Sequence, residues 1–557
     1  MSPLSRWLPF LAWPRPTWPL MRGELAAGLT VGMVIVPQSV AYATLAGMPL
    51  ETGIYASFLP ALVALIWSAS PRLSVGPTAL SSILVGASLT GLADPAGGQW
   101  VALAVWLALL SGVMQLILGI GRFGWIVNLV SSPVLMGFTQ AATVLIILSQ
   151  VPALIGSDLP MSRWLASPHL DWYAFAFGVV SLAVLVAGKR WLPRVPMMML
   201  VLAGAAILSK LTGFHANGGP VVGNLPTGLP SLYLPGLIDL QTLGVLIVPA
   251  MVIALVSFLE VASSAKVENQ QKHQGWNENQ DLIAQGLAKI SSGLIGSFPT
   301  SSSFSRSALN LYAGAQTGWA ALVTVVLVLL VMLWFTPLLF HVPLAVLAAV
   351  VIAAVSSLIK PRAFVQVWKV SRVEAATALV TVAVTLVTAP RIYWGVAAGV
   401  LMGLAHFLYQ RLHPRIIEAG LHPDGSLRDR HLWQLPPLAP DTYALRMDAE
   451  LDFAAASTLE RNITEHLARN AHVRRVCLFA QPINRIDATG VEVFGQMRRN
   501  LQGQGIELYI SGIKLPVESA LQRAGELPQN GQAWPLLHLY RTDAETLSVL
   551  AATPAST

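Results

Sequence analysis

The sequence predicts a polytopic α-helical membrane protein of fourteen spans, arranged as two inverted repeats of seven and followed by a soluble α/β domain. Of its 557 residues 54% are hydrophobic and only 11% charged, and the mean hydropathy is +0.62, a composition soluble domains do not sustain. Apolar stretches of about 20 residues, the length a helix needs to cross a hydrocarbon core of roughly 30 Å, recur from near Glu24 almost to Arg411. From His413 onward charges appear every few residues and apolar runs shorten to strand length. The expected divisions are a cytoplasmic N-terminal segment (1–22), a membrane domain (23–412, with repeats at about 23–215 and 240–412), a linker (413–439) and a soluble domain (440–557).

The N-terminus, with Arg6, Arg15 and Arg22 among prolines and tryptophans, shows no small-residue cleavage site after a short apolar core, so it is not read as a removable signal peptide. The fourteen spans centre near Val36, Leu62, Leu84, Leu109, Leu135, Leu182, Leu202, Ile253, Leu287, Leu309, Leu327, Val350, Val382 and Leu401. Basic residues orient them, because short cytoplasmic loops accumulate Lys and Arg. Alternate loops hold Arg72; Arg122; Lys189, Arg190 and Arg194; Lys266 and Lys272; and Lys360, Arg362, Lys369 and Arg372, while the opposite loops hold little beyond Arg163, Lys210 and Arg391. This places a multi-pass protein in the inner (cytoplasmic) membrane with both termini cytoplasmic. The same asymmetry accounts for most of the net charge of +7, and no basic patch with interleaved aromatics suggests nucleic acid. Cys477, the single cysteine, excludes an intrachain disulfide.

Spans three and ten are short, and each begins with a broken, proline-containing polar stretch: LSVGPTALSS at 73–82 and SFPTSSSFSRSA at 297–308. Their positions correspond in two halves of seven spans, and an odd number per half inverts the second copy, the pattern of an inverted repeat with a midplane site. A helix that starts inside the bilayer presents unpaired amides and the positive end of its dipole, an anion site in chemical terms. Pro77 and Pro299 account for the breaks. Two such helices from opposite sides aim at one point, where Thr78, Ser81, Ser301, Ser302, Ser303 and Ser305 offer hydroxyls to an oxyanion. The competing reading is that these hydroxyls bond their own backbone or join neighbouring helices.

Three charges at membrane depth need a role, since each costs about 2.5 to 3.5 kcal/mol on insertion scales. Arg306 either adds positive potential at the site or pairs with a carboxylate such as Glu260. Glu260, with Ser264 one turn on, suits proton carriage because burial disfavours the charged acid; the alternatives are cation ligation and a fixed salt bridge. Glu24 reads as an interfacial or helix-starting acid.

These residues carry a resemblance to the SulP (sulfate permease) family of anion transporters. VPQSVAYA (36–43) and GMPLETGIYASFLP (47–60) resemble the family's first two spans and VGPTALSS (75–82) its third, while NQDLIAQGLAK (279–289) and SFSRSALN (303–310) resemble the ninth and tenth. IDATG (486–490) is similar to a motif of the STAS domain. The resemblance implies a core domain holding substrate against a gate domain, elevator-like alternating access and a homodimer. It places Gln38, Tyr42, Thr78, Ala79, Phe304, Ser305 and Arg306 at the substrate and Glu260 at the coupling ion; the hydroxyl pattern adds Ser303 to the first set and Ser264 to the second. Ser301-Ser302 departs from the Thr-Gly of many relatives, adding a side chain where backbone approaches the ligand and leaving pocket size open.

The soluble part reads as alternating strands and helices, with strands in YALRMDAEL, VRRVCLFA and IELYISGI. Thr489, at a position phosphorylated in bacterial signalling relatives, is expected either to be regulatory or to cap the helix after it. With no phosphate loop, metal-ligand cluster or nucleophile-base pair in the sequence, an enzyme and a metal or organic cofactor are not expected. The function expected is a secondary transporter of a small anion of the sulfate, bicarbonate or dicarboxylate class, coupled to H+. The alternatives are sodium coupling, an uncoupled channel or exchanger, and a sensor signalling through Thr489.

Overall fold

A computed structural model describes residues 8–157, 170–192, 195–272, 275–529 and 532–552. Arg6, Arg163 and Arg194 lie outside the described residues, as does the side chain of Lys272. The chain divides into two compact units, residues 1–403 and 404–557.

The first unit begins with α1 (Trp18–Leu45) and α2 (Leu50–Trp67), then a two-residue strand β1 (Val75–Gly76), α3 (Ala79–Leu89), α4 (Gly98–Ile120) and α5 (Ser132–Leu154). It continues through α6 (Trp172–Trp191), α7 (Met197–Leu211), α8 (Leu240–Lys272) and α9 (Glu278–Leu294) to a second short strand, β2 (Ser301–Ser302). Then come α10 (Phe304–Tyr312), α11 (Trp319–Leu330), α12 (Leu344–Ser356), α13 (Pro361–Val370), α14 (Arg372–Val387) and α15 (Tyr393–Leu412), the last continuing past residue 403 into the second unit. Each of the fourteen expected centres falls inside a helix. Among the described residues eight helical segments are long and apolar enough to cross a membrane, and α3 and α7 are shorter apolar helices. The addition is α13, ten residues with no buried side chain, in the stretch read only as a basic loop.

Small residues set the helix spacing, because a missing Cβ lets backbones meet. A Cβ on Gly112 of α4 would lie 2.8 Å from the carbonyl oxygen of Gly286 on α9, and one on Gly286 2.7 Å from that of Gly112. Glu24 is not a solvated acid. It is 0% exposed, and its carboxylate accepts from the amides of Gln316, Thr317 and Ala320 at 2.8–2.9 Å, capping α11 from α1. Arg72, counted above as a loop charge, is buried against Glu268 at 3.0 Å.

The second unit holds strands β3 (Ile416–Leu421), β4 (Leu427–Asp429), β5 (Thr442–Met447), β6 (Arg475–Phe479), β7 (Glu507–Ser511) and β8 (Leu537–Tyr540), in sheet order β4-β3-β5-β6-β7-β8. The last four are parallel, and their crossovers are the helices α16 (Ala456–Arg469), α17 (Ala488–Gly503) and α18 (Leu515–Arg523), with α19 (Asp543–Ala552) at the end. The stretch 413–439, read as linker, is a hairpin whose first strand pairs with β5. The cap of α17 is Asp487, whose side chain accepts from Gly490 N at 2.8 Å; Thr489 is exposed in the first turn. Gly490 has its own reason, since a Cβ there would sit 2.0 Å from the Leu451 carbonyl oxygen. Burial pushes the Cys477 thiol up, so it stays protonated inside the sheet's second apolar layer.

Candidate anion-binding site

The two broken segments meet. β1 and β2 pair antiparallel with Val75 opposite Ser302 and Gly76 opposite Ser301. Two further bonds tie them, Ser303 N to the Ser74 carbonyl and Ser74 N to the Ser307 hydroxyl, each 3.0 Å. Each strand then turns into a helix through the same device, a hydroxyl N-cap accepting from the amide three residues on. Thr78 accepts from Ser81 N at 3.3 Å, and Ser303 from Arg306 N at 3.5 Å. The prolines are not equivalent, however: Pro77 directly precedes its cap, while Pro299 lies four residues before Ser303. The amides of Ala79, Leu80, Phe304 and Ser305, the next donors in each first turn, have no protein acceptor among the described residues. Two positive helix ends and four free N–H groups therefore face the junction.

Arg306 sits one turn into α10 at 1% exposure. Its guanidinium donates to Ser74 Oγ (3.2 Å), Gln38 Oε1 (3.3 Å) and the Pro77 carbonyl (3.0 Å). Among the described residues it makes no ion pair within 4.0 Å, so the expected alternative of a direct pair with Glu260 is not what holds it. Gly76 leaves it room, since a Cβ there would lie 3.5 Å from Arg306 Nη2 and 3.2 Å from Ile35 Cδ1. Gln38 and Tyr42 are buried one turn apart on α1, while Phe304 is 45% exposed and Ser305 exposed beside it, leaving the first turn of α10 open.

The hydroxyls divide into two groups. Ser301 donates to the Ser257 carbonyl at 3.2 Å and also interacts with the Glu260 carboxylate, tying β2 to α8, while Ser302 shares a bond with Ser307 at 3.3 Å, tying β2 to α10. Thr78 is within bonding distance of Ser81 Oγ and of Glu260 Oε2, each 3.1 Å, and Ser303 and Ser305 bond one another at 3.2 Å. Glu260 thus touches the cap of α3. Ser264 does not touch that carboxylate: its hydroxyl donates to the main-chain carbonyl of Glu260 at 2.9 Å.

One charged group was missed in the sequence. Lys289 on α9 is 0% exposed, donates to Gln115 Oε1 on α4 at 2.8 Å, and interacts electrostatically with Glu260. Its signal was a lysine in the otherwise uncharged run LIAQGLAKISSGL, but its partner lies 174 residues away. Asp281, in the same segment, accepts five hydrogen bonds from Ser68, Ala69, Ser70 and Trp276 and fixes the chain that leads into β1.

Fold and site together define a multi-pass membrane protein built around two opposed half-helices, with an α/β domain appended. Residues 21–381 match the sulfate permease family and residues 437–543 the STAS domain. The chain belongs to the sulfate permease family. It is 31% identical over 547 residues to the probable sulfate transporter 4.2 of Arabidopsis thaliana, covering 92% of this chain and 79% of that one. It is 30% identical over 522 residues to a probable sulfate transporter of Mycobacterium tuberculosis, covering 92% and 93%. The fold is that of the murine Solute Carrier 26 family member A9 anion transporter, solved in an inward-facing state, with a TM-score of 0.86 and 19% identity over 99% of this chain and 95% of that one. The protein is accordingly a transporter of small anions, not an enzyme.

Proposed function

We propose that the chain is a proton-coupled symporter of a small oxyanion of the sulfate class. The observation that carries this reading is the junction itself: four acceptor-free amides at two opposed helix N-termini, with Arg306 one turn behind. An anion there supplies the acceptors those amides lack. Thr78, Ser303 and Ser305 add hydroxyl donors, Ala79 and Phe304 contribute backbone, and Gln38 and Tyr42 form the wall on α1. Arg306 stays on its three neutral acceptors and lends charge.

Glu260 carries the coupling proton. Because its carboxylate touches Thr78, the group that titrates and the group that binds share one hydrogen bond. Its two interacting cations, Arg306 and Lys289, repel a sodium ion from the same oxygen, and Ser264 directs its proton elsewhere. Both facts favour a proton over sodium. The binding groups on α1, α3, α8 and α10 are bonded to one another, so they move together, which suits an elevator-like step. The loop charges favour the cytoplasmic membrane with both termini inside, and the homodimer belongs to the same proposal.

The test is uptake of radiolabelled sulfate into proteoliposomes holding the full chain, with an inward proton gradient, an inward sodium gradient or neither. Proton-driven uptake that Glu260→Gln abolishes is the expected result. Uptake driven by sodium, or gradient-insensitive flux that survives Glu260→Gln, overturns the reading in favour of a sodium symporter or of an exchanger or channel.

A further inference from the structure

Buried charges in the membrane unit are mostly matched on the spot. Arg72 is paired with Glu268, Asp281 is surrounded by five donors, and Glu24 by three amides. Three groups stand apart: among the described residues Arg306, Lys289 and Glu260 hydrogen-bond only to neutral partners. Lys289 is nevertheless wired to the site. Gln115, which accepts from it, donates to the Ala254 carbonyl (2.7 Å) and to Ser257 Oγ (2.8 Å) on α8, one turn before Glu260. The carbonyl of Ser257 accepts from Ser301 of β2. Among the described residues the titratable groups that interact electrostatically with Glu260 are Tyr42 on α1, Lys289 on α9 and Arg306 on α10, beside the hydroxyls of Thr78 and Ser301, and the charged group that interacts with Lys289 is Glu260.

We propose that Lys289 is a second fixed cation of the anion site, a positioning residue that sets how many protons accompany an anion of given charge. The inference rests on the proposed proton-coupled reading. Two cations and one carboxylate leave the empty core with one net positive charge, and an uncompensated charge away from water is costly. A monovalent anion cancels it with Glu260 ionised. A dianion overshoots by one, and the balance is restored when one proton binds the Glu260 carboxylate; that proton leaves with the anion on the far side. Anion valence then determines coupling: a dianion travels with a proton and a monovalent anion without one. Removing the lysine charge shifts both cases by one proton, so a monovalent anion needs the proton of Glu260 and a dianion needs a second that the site has no acid to hold.

The experiment counts protons per anion in proteoliposomes loaded with a pH-sensitive dye, using radiolabelled sulfate and chloride, in wild type, Lys289→Gln, Lys289→Arg and Glu260→Gln. Wild type should take up about one proton per sulfate and none per chloride. In Lys289→Gln chloride uptake should acquire a proton, while sulfate uptake falls by about 5- to 150-fold, the usual range of coupling between two sites. Lys289→Arg should restore the wild-type ratios, which a loss of packing alone does not predict. Wild-type ratios retained in Lys289→Gln overturn the inference. If that variant does not fold, equal proton counts for sulfate and chloride in wild type overturn it instead. Proton flux that survives Glu260→Gln sinks the underlying reading, whereas Glu260-dependent coupling with ratios indifferent to Lys289 sinks this inference alone.

Discussion

Arg306→Gln tests the electrostatic half of the binding site. The guanidinium is 1% exposed and held by three neutral acceptors at 3.0–3.3 Å, and among the described residues it makes no ion pair within 4.0 Å, so its positive charge is available to an anion at the junction. At an effective dielectric constant of about 20, two unit charges about 6–10 Å apart attract by about 1.7–2.8 kcal/mol. Losing that much binding energy weakens sulfate affinity by about 20- to 100-fold. Arg306→Lys keeps the charge, but an ammonium cannot reach Ser74, Gln38 and Pro77 together in the fork geometry, so it should fall between wild type and Arg306→Gln. The assay is the concentration dependence of initial uptake rates in proteoliposomes, with thermal unfolding measured in parallel to separate folding from binding. Unchanged half-saturation in a well-folded Arg306→Gln protein would refute the assignment of Arg306 to the anion's field.

Glu24→Ala should lower stability by about 0.5–2 kcal/mol, the cost of a lost helix cap, because three amides at the start of α11 lose their acceptor; thermal unfolding in detergent reads this. In the soluble unit Asp487→Ala should destabilise by a similar amount of about 0.5–2 kcal/mol, and Thr489→Ala should leave the melting temperature unchanged, since Asp487 is the cap. Although burial opposes it, hydrogen bonds from Arg499 and Arg498 hold the Glu526 carboxyl below its ordinary value of 4.5. A depressed folded value contributes stability that is present above pH 4.5 and lost as the pH falls below it. Glu526→Gln should therefore flatten the acid side of the stability profile, measured by thermal unfolding as a function of pH.

Ten of the fourteen expected centres fall in helices that are apolar along their length, because the bilayer itself sets length and apolarity, constraints written locally in the chain; Leu287, Leu309, Val382 and Leu401 fall in helices outside that class. The two half-helices were legible for the same reason, as a proline-broken polar stretch has few other uses at membrane depth. What escaped was decided by partners distant in sequence. Glu24 looks like an interfacial acid until α11 is seen to start against it, and Arg72 looks like a loop charge until it meets Glu268. Lys289 falls in the same class, because its burial depends on Gly112 and Gly286 bringing α4 against α9. The helix α13 was hidden by its charges and by its brevity, PRAFVQVWKV being too short to display a helical period among Lys360, Arg362 and Lys369. The β3–β4 hairpin was hidden by strands of six and three residues in a charged stretch.

The central claim is that an oxyanion sits between the N-termini of α3 and α10. Selenate is an isostere of sulfate that scatters anomalously, so crystals of the full chain soaked in selenate locate the site without reference to transport. The account predicts an anomalous peak within hydrogen-bond distance, about 3 Å, of the amides of Ala79, Leu80, Phe304 and Ser305. A selenate peak elsewhere in the membrane unit, with none at the junction of β1 and β2, would contradict it.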